Sequence, residues 1–138
     1  MKHPFLTVYS YLNNDEVLAD KMSAMRTVNE EGENMIFTFD VREEYQKQEY
    51  SPIIRMTPIS NIEAVWSDDD SQIHELVFSV ELFTKSVNNS YELSSYIVDK
   101  LKNKHNCICI NENLQYDELS DLYNSFMRFK IFITKGEI

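Results

Sequence analysis

The sequence predicts an α+β fold, and three observations predict it. Two short amphipathic helical stripes open the chain, several strand-like runs follow, and the clearest alternating strand leads into a longer helical stripe. Strands in runs, followed by a helix, favour this class over a doubly wound parallel sheet. The expected architecture is N-terminal helices and a mixed or antiparallel sheet of about four to five strands, packed by one longer helix.

Each element has its own signal. Pro4 suits a first helical turn, where a missing N–H costs nothing. Phe5, Val8, Tyr9 and Leu12 then recur at three- and four-residue spacing. Asn13-Asn14 breaks that helix and caps a second one. Asp15 and Glu16 fall in its first turn, which the helix dipole favours, and Val17, Leu18 and Met22 face the core. Asn29-Glu30-Glu31-Gly32-Glu33-Asn34 is a polar loop, and Met35-Ile36-Phe37-Thr38-Phe39 is a short β-rich run. Residues 40–50 are polar and charged, either a loop or an exposed strand extension.

Residues 52–59 read as a second strand bounded by Pro52 and Pro58, which places it at a sheet edge or makes it very short. Residues 61–71, with Trp66 beside Asp68, Asp69 and Asp70, read as a solvated loop. From Gln72 onward Leu76, Phe78, Val80 and Leu82 alternate with Val77, Ser79 and Glu81, a strand with one buried face. Residues 87–104 carry a helical stripe of Leu93, Ile97 and Leu101, with Asn89 or Ser90 as cap. Cys107-Ile108-Cys109-Ile110 is a short strand, 111–120 is polar, and 116–121 can hold a helical turn. The last strand, 126–134, sets Met127, Phe129, Ile131 and Ile133 against Phe126, Arg128, Lys130 and Phe132. The tail after Thr134 should fray. With no repeat or low-complexity segment, 1–138 reads as one domain.

Composition narrows the function. Apolar residues make up 43% and aromatic ones 12%, more packing material than a disordered chain carries. The 13 basic residues face 23 acidic ones, a formal charge of −10, which argues against direct duplex binding through phosphates. No secretory signal or apolar span is evident, so the chain is expected in the cytosol without membrane contact, with Cys107 and Cys109 as thiols. Two isolated glycines rule out a phosphate-cradling loop.

His105, Cys107 and Cys109 would share a strand face and could converge as soft ligands. A structural zinc normally needs a fourth ligand, and ordinary packing is the stronger reading, so no metal or cofactor is expected. A Cys–His nucleophile pair lacks an elbow or oxyanion loop. The paired carboxylates fall in loops and helix starts, where capping and solvation explain them. No catalytic residue is assigned and an enzyme is not expected.

Phe83, Phe126 and Phe132 fall out of phase with the core residues of their strands, and Arg128 and Lys130 share the alternate face of the last strand. These five are a candidate subunit interface, unless a helix of the same chain covers the aromatics.

Taken together, the element order resembles the tail-terminator (tail completion) family of long-tailed, siphovirus-type bacteriophages. The features that carry the likeness run nearly full length. They are Val8-Tyr9 to Leu12 followed by Asp15, a strand over 50–57, the long strand 75–83 leading into a helix over 91–101, and the closing pairs Tyr116-Asp117, Leu122-Tyr123 and Arg128-Phe129. The resemblance implies a structural virion protein without catalysis or cofactor. It implies a hexameric ring whose sheets line a channel, with helices outside.

Such a ring would cap the tail tube, end its polymerisation and join the tail to the head, with the major tail tube protein and the head–tail connector or stopper protein as partners. Six copies at −10 each carry about −60, and an acidic lumen would let DNA pass without specific binding. Trp66, Asp68, Asp69 and Asp70 would then form a loop facing tube or channel. Another phage neck or head-completion protein shares these features. An acidic inhibitor or immunity-type protein, occupying a basic cleft, is the rival from a different class.

Overall fold

In the computed structural model, residues 3–29, 31, 32, 34–65 and 72–134 are described. Helices α1 (Pro4–Asn13) and α2 (Glu16–Met25) precede β1 (Ile36–Thr38), β2 (Ile53–Val65) and β3 (Gln72–Thr84). Helix α3 (Val87–His105) leads to β4 (Ile108–Asp117) and β5 (Leu122–Thr134). This is the expected α+β order of two helices, three strands, a longer helix and two strands. The five strands form one mixed sheet in the order β1-β2-β3-β5-β4. β1 runs parallel to β2, and the other neighbours are antiparallel.

The helices are fixed by their ends. His3 Nδ1 accepts from the Phe5 N–H at 3.1 Å to open α1. Asp15 caps α2 itself, instead of lying in its first turn; Oδ1 accepts from the Val17 and Leu18 N–H groups at 3.0 and 3.1 Å. α3 starts earlier than Asn89 or Ser90 would place it, because Ser86 Oγ takes the Asn89 N–H at 3.1 Å. It ends on Asn106 in the left-handed conformation (φ 58°), with Lys102, Lys104 and His105 in the last turn complementing the dipole.

All three helices cover one face of the sheet. Phe5, Val8, Leu12, Leu18 and Met22 meet Leu93, Ile97 and Leu101 over a floor of Ile54, Met56, Leu76, Phe78, Val80, Leu82, Met127, Phe129, Ile131 and Ile133. Phe78 and Phe129 stack at 5.5 Å in its centre. Each such side chain contributes about 1.5–3 kcal/mol by leaving water. A second, smaller cluster of Met35, Phe37, Val41 and Ile53 gathers Tyr45, Tyr50 and Phe83 at one end of the sheet.

The strands correct several sequence expectations. β2 is neither short nor wholly an edge. It runs 13 residues, and β1 pairs with it at Ile54, Arg55 and Met56. Pro58 is accommodated where the register with β3 shifts, between Pro58 and Ser60, beyond the reach of β1. That position asks proline for no ladder hydrogen bond on the open side. Residues 61–65 continue the strand instead of opening a loop. β4 reaches Asp117, so 111–117 is strand, and β5 begins at Leu122, not Phe126. The link between them is a tight turn over 118–121, closed by one bond of helical spacing, while Tyr116 and Asp117 belong to the strand. Asp121, with φ 57°, returns its N–H to the Asp117 carbonyl at 2.9 Å. Residues 40–50 form a loop holding two single 3₁₀ turns, Glu43–Tyr45 and Gln48–Tyr50.

Candidate functional site

Strand alternation places every second residue of β2, β3 and β5 on the face opposite the helices. The register fixes who stands beside whom. Arg55 lies beside Glu81, and Glu81 beside Phe126; Thr57, Ser79 and Arg128 form the next row; Val77 stands beside Lys130, and Ile62 beside Glu75, beside Phe132. No described helix covers this face, and Ile62 and Phe132 are 56% and 53% exposed.

Its charges are paired within the chain. Arg55 forms an ion pair with Glu81 and sits 5.6 Å from the centre of the Phe83 ring. Asn124 Nδ2 donates to the same Glu81 carboxylate at 3.3 Å. Lys130 Nζ is 3.3 Å from Glu75 Oε1, a diagonal cross-strand pair, and Arg128 lies 6.0 Å from the Phe126 ring. These contacts hold the long side chains flat on the sheet, leaving a mixed apolar and charged surface of the composition seen at protein contacts.

The five residues expected at an interface therefore divide. Phe126, Arg128, Lys130 and Phe132 share the uncovered face. Phe83 begins on it but is half-buried against the second cluster, so its own chain's 41–53 segment takes up much of its apolar surface. Trp66, Asp68, Asp69 and Asp70 lie outside the described residues. The face is also not acidic, since Arg55, Arg128 and Lys130 offset Glu75 and Glu81. Exposed carboxylates occur instead in two other segments, Asp40, Glu43, Glu44 and Glu49 in the 40–50 loop and Glu118 and Asp121 in the β4–β5 turn. Gln48 Nε2 ties the two segments by donating to the Asp121 carbonyl at 2.7 Å.

The idea that His105, Cys107 and Cys109 share a strand face fails in its premise. His105 ends α3, and its ring stacks on Tyr11 at 3.7 Å. Burial, then Lys100 and Lys104, hold that imidazole below its ordinary pKa. Cys107 precedes β4 and is fully buried, which pushes its thiol up to about 12. Cys109 is also raised, by burial and by Glu112. Neither is tuned to be a reactive thiolate. Among the described residues, no three His, Cys, Asp or Glu side chains are grouped to hold a metal.

Two polar centres have no motif to announce them. Asp15 is nearly buried and accepts from the Tyr96 hydroxyl at 2.8 Å, with Lys100 Nζ at 3.6 Å. Burial works to raise its carboxyl, but the Tyr96 and Leu18 bonds, Lys100 and Val17 outweigh it, and the pKa lies below the ordinary 3.8. The Tyr96 hydroxyl rises to about 12, through burial and Asp15. Arg26 binds main-chain carbonyls: Tyr50 at 3.0 Å, Pro52 at 2.8 Å and Asn34 at 3.4 Å. Burial lowers the guanidinium to about 10. Both centres join segments distant in sequence, and both are structural.

No protein-family model and no curated protein matches the sequence. Among the described residues no helix is long and apolar enough to cross a membrane. A solved chain of the "Virion of native gene transfer agent (GTA) particle" is similar in fold, with a TM-score of 0.59 at 12% identity, covering 92% of this chain and 91% of that one.

Proposed function

We propose that this chain is a structural protein of a phage-type virion, and that it forms a ring capping the tail tube, ending tail polymerisation and joining the tail to the head connector. The observation that carries the reading is the fold likeness to a virion chain over nearly the full length of both proteins. The element order that resembles tail terminators supports the finer role. So does an uncovered sheet face bearing Phe126, Arg128, Lys130 and Phe132, a mixed surface suited to contact with other virion components.

On this reading the chain is not an enzyme, needs no cofactor, and resides in the tail or neck of the particle. Six copies form the ring, the major tail tube protein and the connector or stopper protein are its neighbours, and DNA slides through the lumen unbound. The net charge of −10 favours that passage. Trp66, Asp68, Asp69 and Asp70 remain the segment proposed to meet tube or channel.

A neck or head-completion protein is the second reading, favoured by the fact that the solved neighbour is named for its particle and not for a station within it. An acidic inhibitor is less well supported, because the uncovered face pairs its carboxylates with Arg55 and Lys130 instead of presenting them to a basic cleft. Gold-labelled antibody against the chain, imaged on particles, tests the reading. Label at the head-proximal end of the tail is expected; label confined to cytosol, with none on particles, would reject it.

A further inference from the structure

Among the described residues both margins of the sheet are open, and they are matched to each other. At one margin β4 is the outer strand, ten residues long. Ile108, Ile110, Leu114 and Tyr116 along it are about half exposed, from 47% to 58%. Residues 108–117 contain no lysine, arginine, proline or glycine; the register shift with β5 lies at the start of the strand, between Cys109 and Asn111, which leaves 111–117 as a regular free edge whose charges are Glu112 and Asp117. At the other margin β1 covers β2 only as far as Met56. Beyond it, among the described residues, no main chain pairs with 59–65 on that side, and Ile59 and Ile62 are 45% and 56% exposed.

From this we infer that the ring is built by strand addition: β4 of one copy pairs with residues 59–65 of β2 in the next. The inference rests on the ring reading above and names its joint. A second copy is the fitting occupant because one repeated contact satisfies both margins, whereas any other partner at one margin leaves the other bare. Direction agrees as well. β2, β3, β5 and β4 alternate in sense across the sheet, so β4 runs opposite to β2. Rotation about an axis along the strands keeps each strand's sense, so the neighbour's β2 arrives antiparallel to β4, the more stable ladder.

The contact joins two different patches, so it propagates around a ring instead of stopping at a dimer. The free stretch of β2 lies level with 130–134 of β5, while β4 pairs with 122–130. Neighbours consequently join with an axial stagger, the shear that tilts the strands of closed barrels. Exposed isoleucine and leucine on both edges then become cross-strand apolar pairs.

The test is cross-linking of Ile62→Cys and Leu114→Cys, at positions about half exposed, with a flexible bis-maleimide, in purified chain and in particles assembled with it. Both are built with Cys109→Ser, because Cys109 is a half-buried thiol on β4 itself; the double variant is then expected to give a covalent ladder beyond the dimer, while each single variant and the Cys109→Ser chain give none. In support, Ile110→Lys with Leu114→Lys should leave the fold intact and weaken ring formation by about tenfold or more. Rings visible by electron microscopy without a ladder would overturn the joint and leave the ring reading standing. A dimer from Leu114→Cys alone would overturn it in favour of two-fold pairing of β4. Absence of any ring in either preparation would take down both.

Discussion

The two faces of this sheet are built from the same strands and differ in almost every respect. The helix side carries Phe78, Val80, Met127 and Phe129 with no exposure at all, while the other side carries Arg128 and Phe132 in the open and the partly covered pair Arg55 and Glu81. Stability resides on the first face, and the second is free to meet other molecules. Substitutions on the two faces should therefore separate folding from assembly.

The largest effect is expected from Phe129→Ala, which leaves a cavity beside Phe78 and should cost about 3–5 kcal/mol in chemical denaturation. Phe132→Ala, three residues along the same strand and outward, should cost less than about 1 kcal/mol while reducing incorporation of the chain into particles, measured on purified virions. Equal losses of stability at both positions would break the distinction. Next is Arg26→Ala, which strips charged donors from the Tyr50 and Pro52 carbonyls and should cost about 2–3 kcal/mol. Lysine, lacking the fork, should restore less than half of that loss.

Asp15→Ala should cost about 1–2 kcal/mol through the lost cap and the orphaned Tyr96 hydroxyl. Because the folded-state pKa of Asp15 lies below 3.8, its contribution is complete above that pH and disappears as acid protonates the folded carboxylate. Acid titration of stability should thus be shallower below pH 3.8 in Asp15→Asn than in the natural chain. The smallest effect belongs to His105. Its folded pKa is depressed, so its contribution is present above 6.5 and falls as the pH drops below that value; His105→Phe should flatten this step and nothing else.

The same contrast explains how far the sequence could be read. Leu76, Phe78, Val80 and Leu82, and Met127 through Ile133, alternate because one face is buried, so those strands were legible. β4 was legible only at its start, Ile108 to Ile110, because an edge strand exposed on both sides has no reason to alternate, and Asn111, Glu112, Asn113 and Gln115 imitate a loop. Pro58 suggested the end of a strand where a register shift absorbs it. The candidate interface was half legible: out-of-phase Phe126 and Phe132 marked the uncovered face, but nothing local showed that 41–53 would fold over Phe83. Asp15–Tyr96 and the Arg26 carbonyl clamp join residues too far apart in sequence for any local pattern to reveal them.

Tail length, measured by electron microscopy of particles produced with the chain's gene deleted, tests the central claim most directly. Tails of irregular, excessive length without attached heads are expected, with restoration on supplying the natural chain. Tails of normal length joined to filled heads would contradict it.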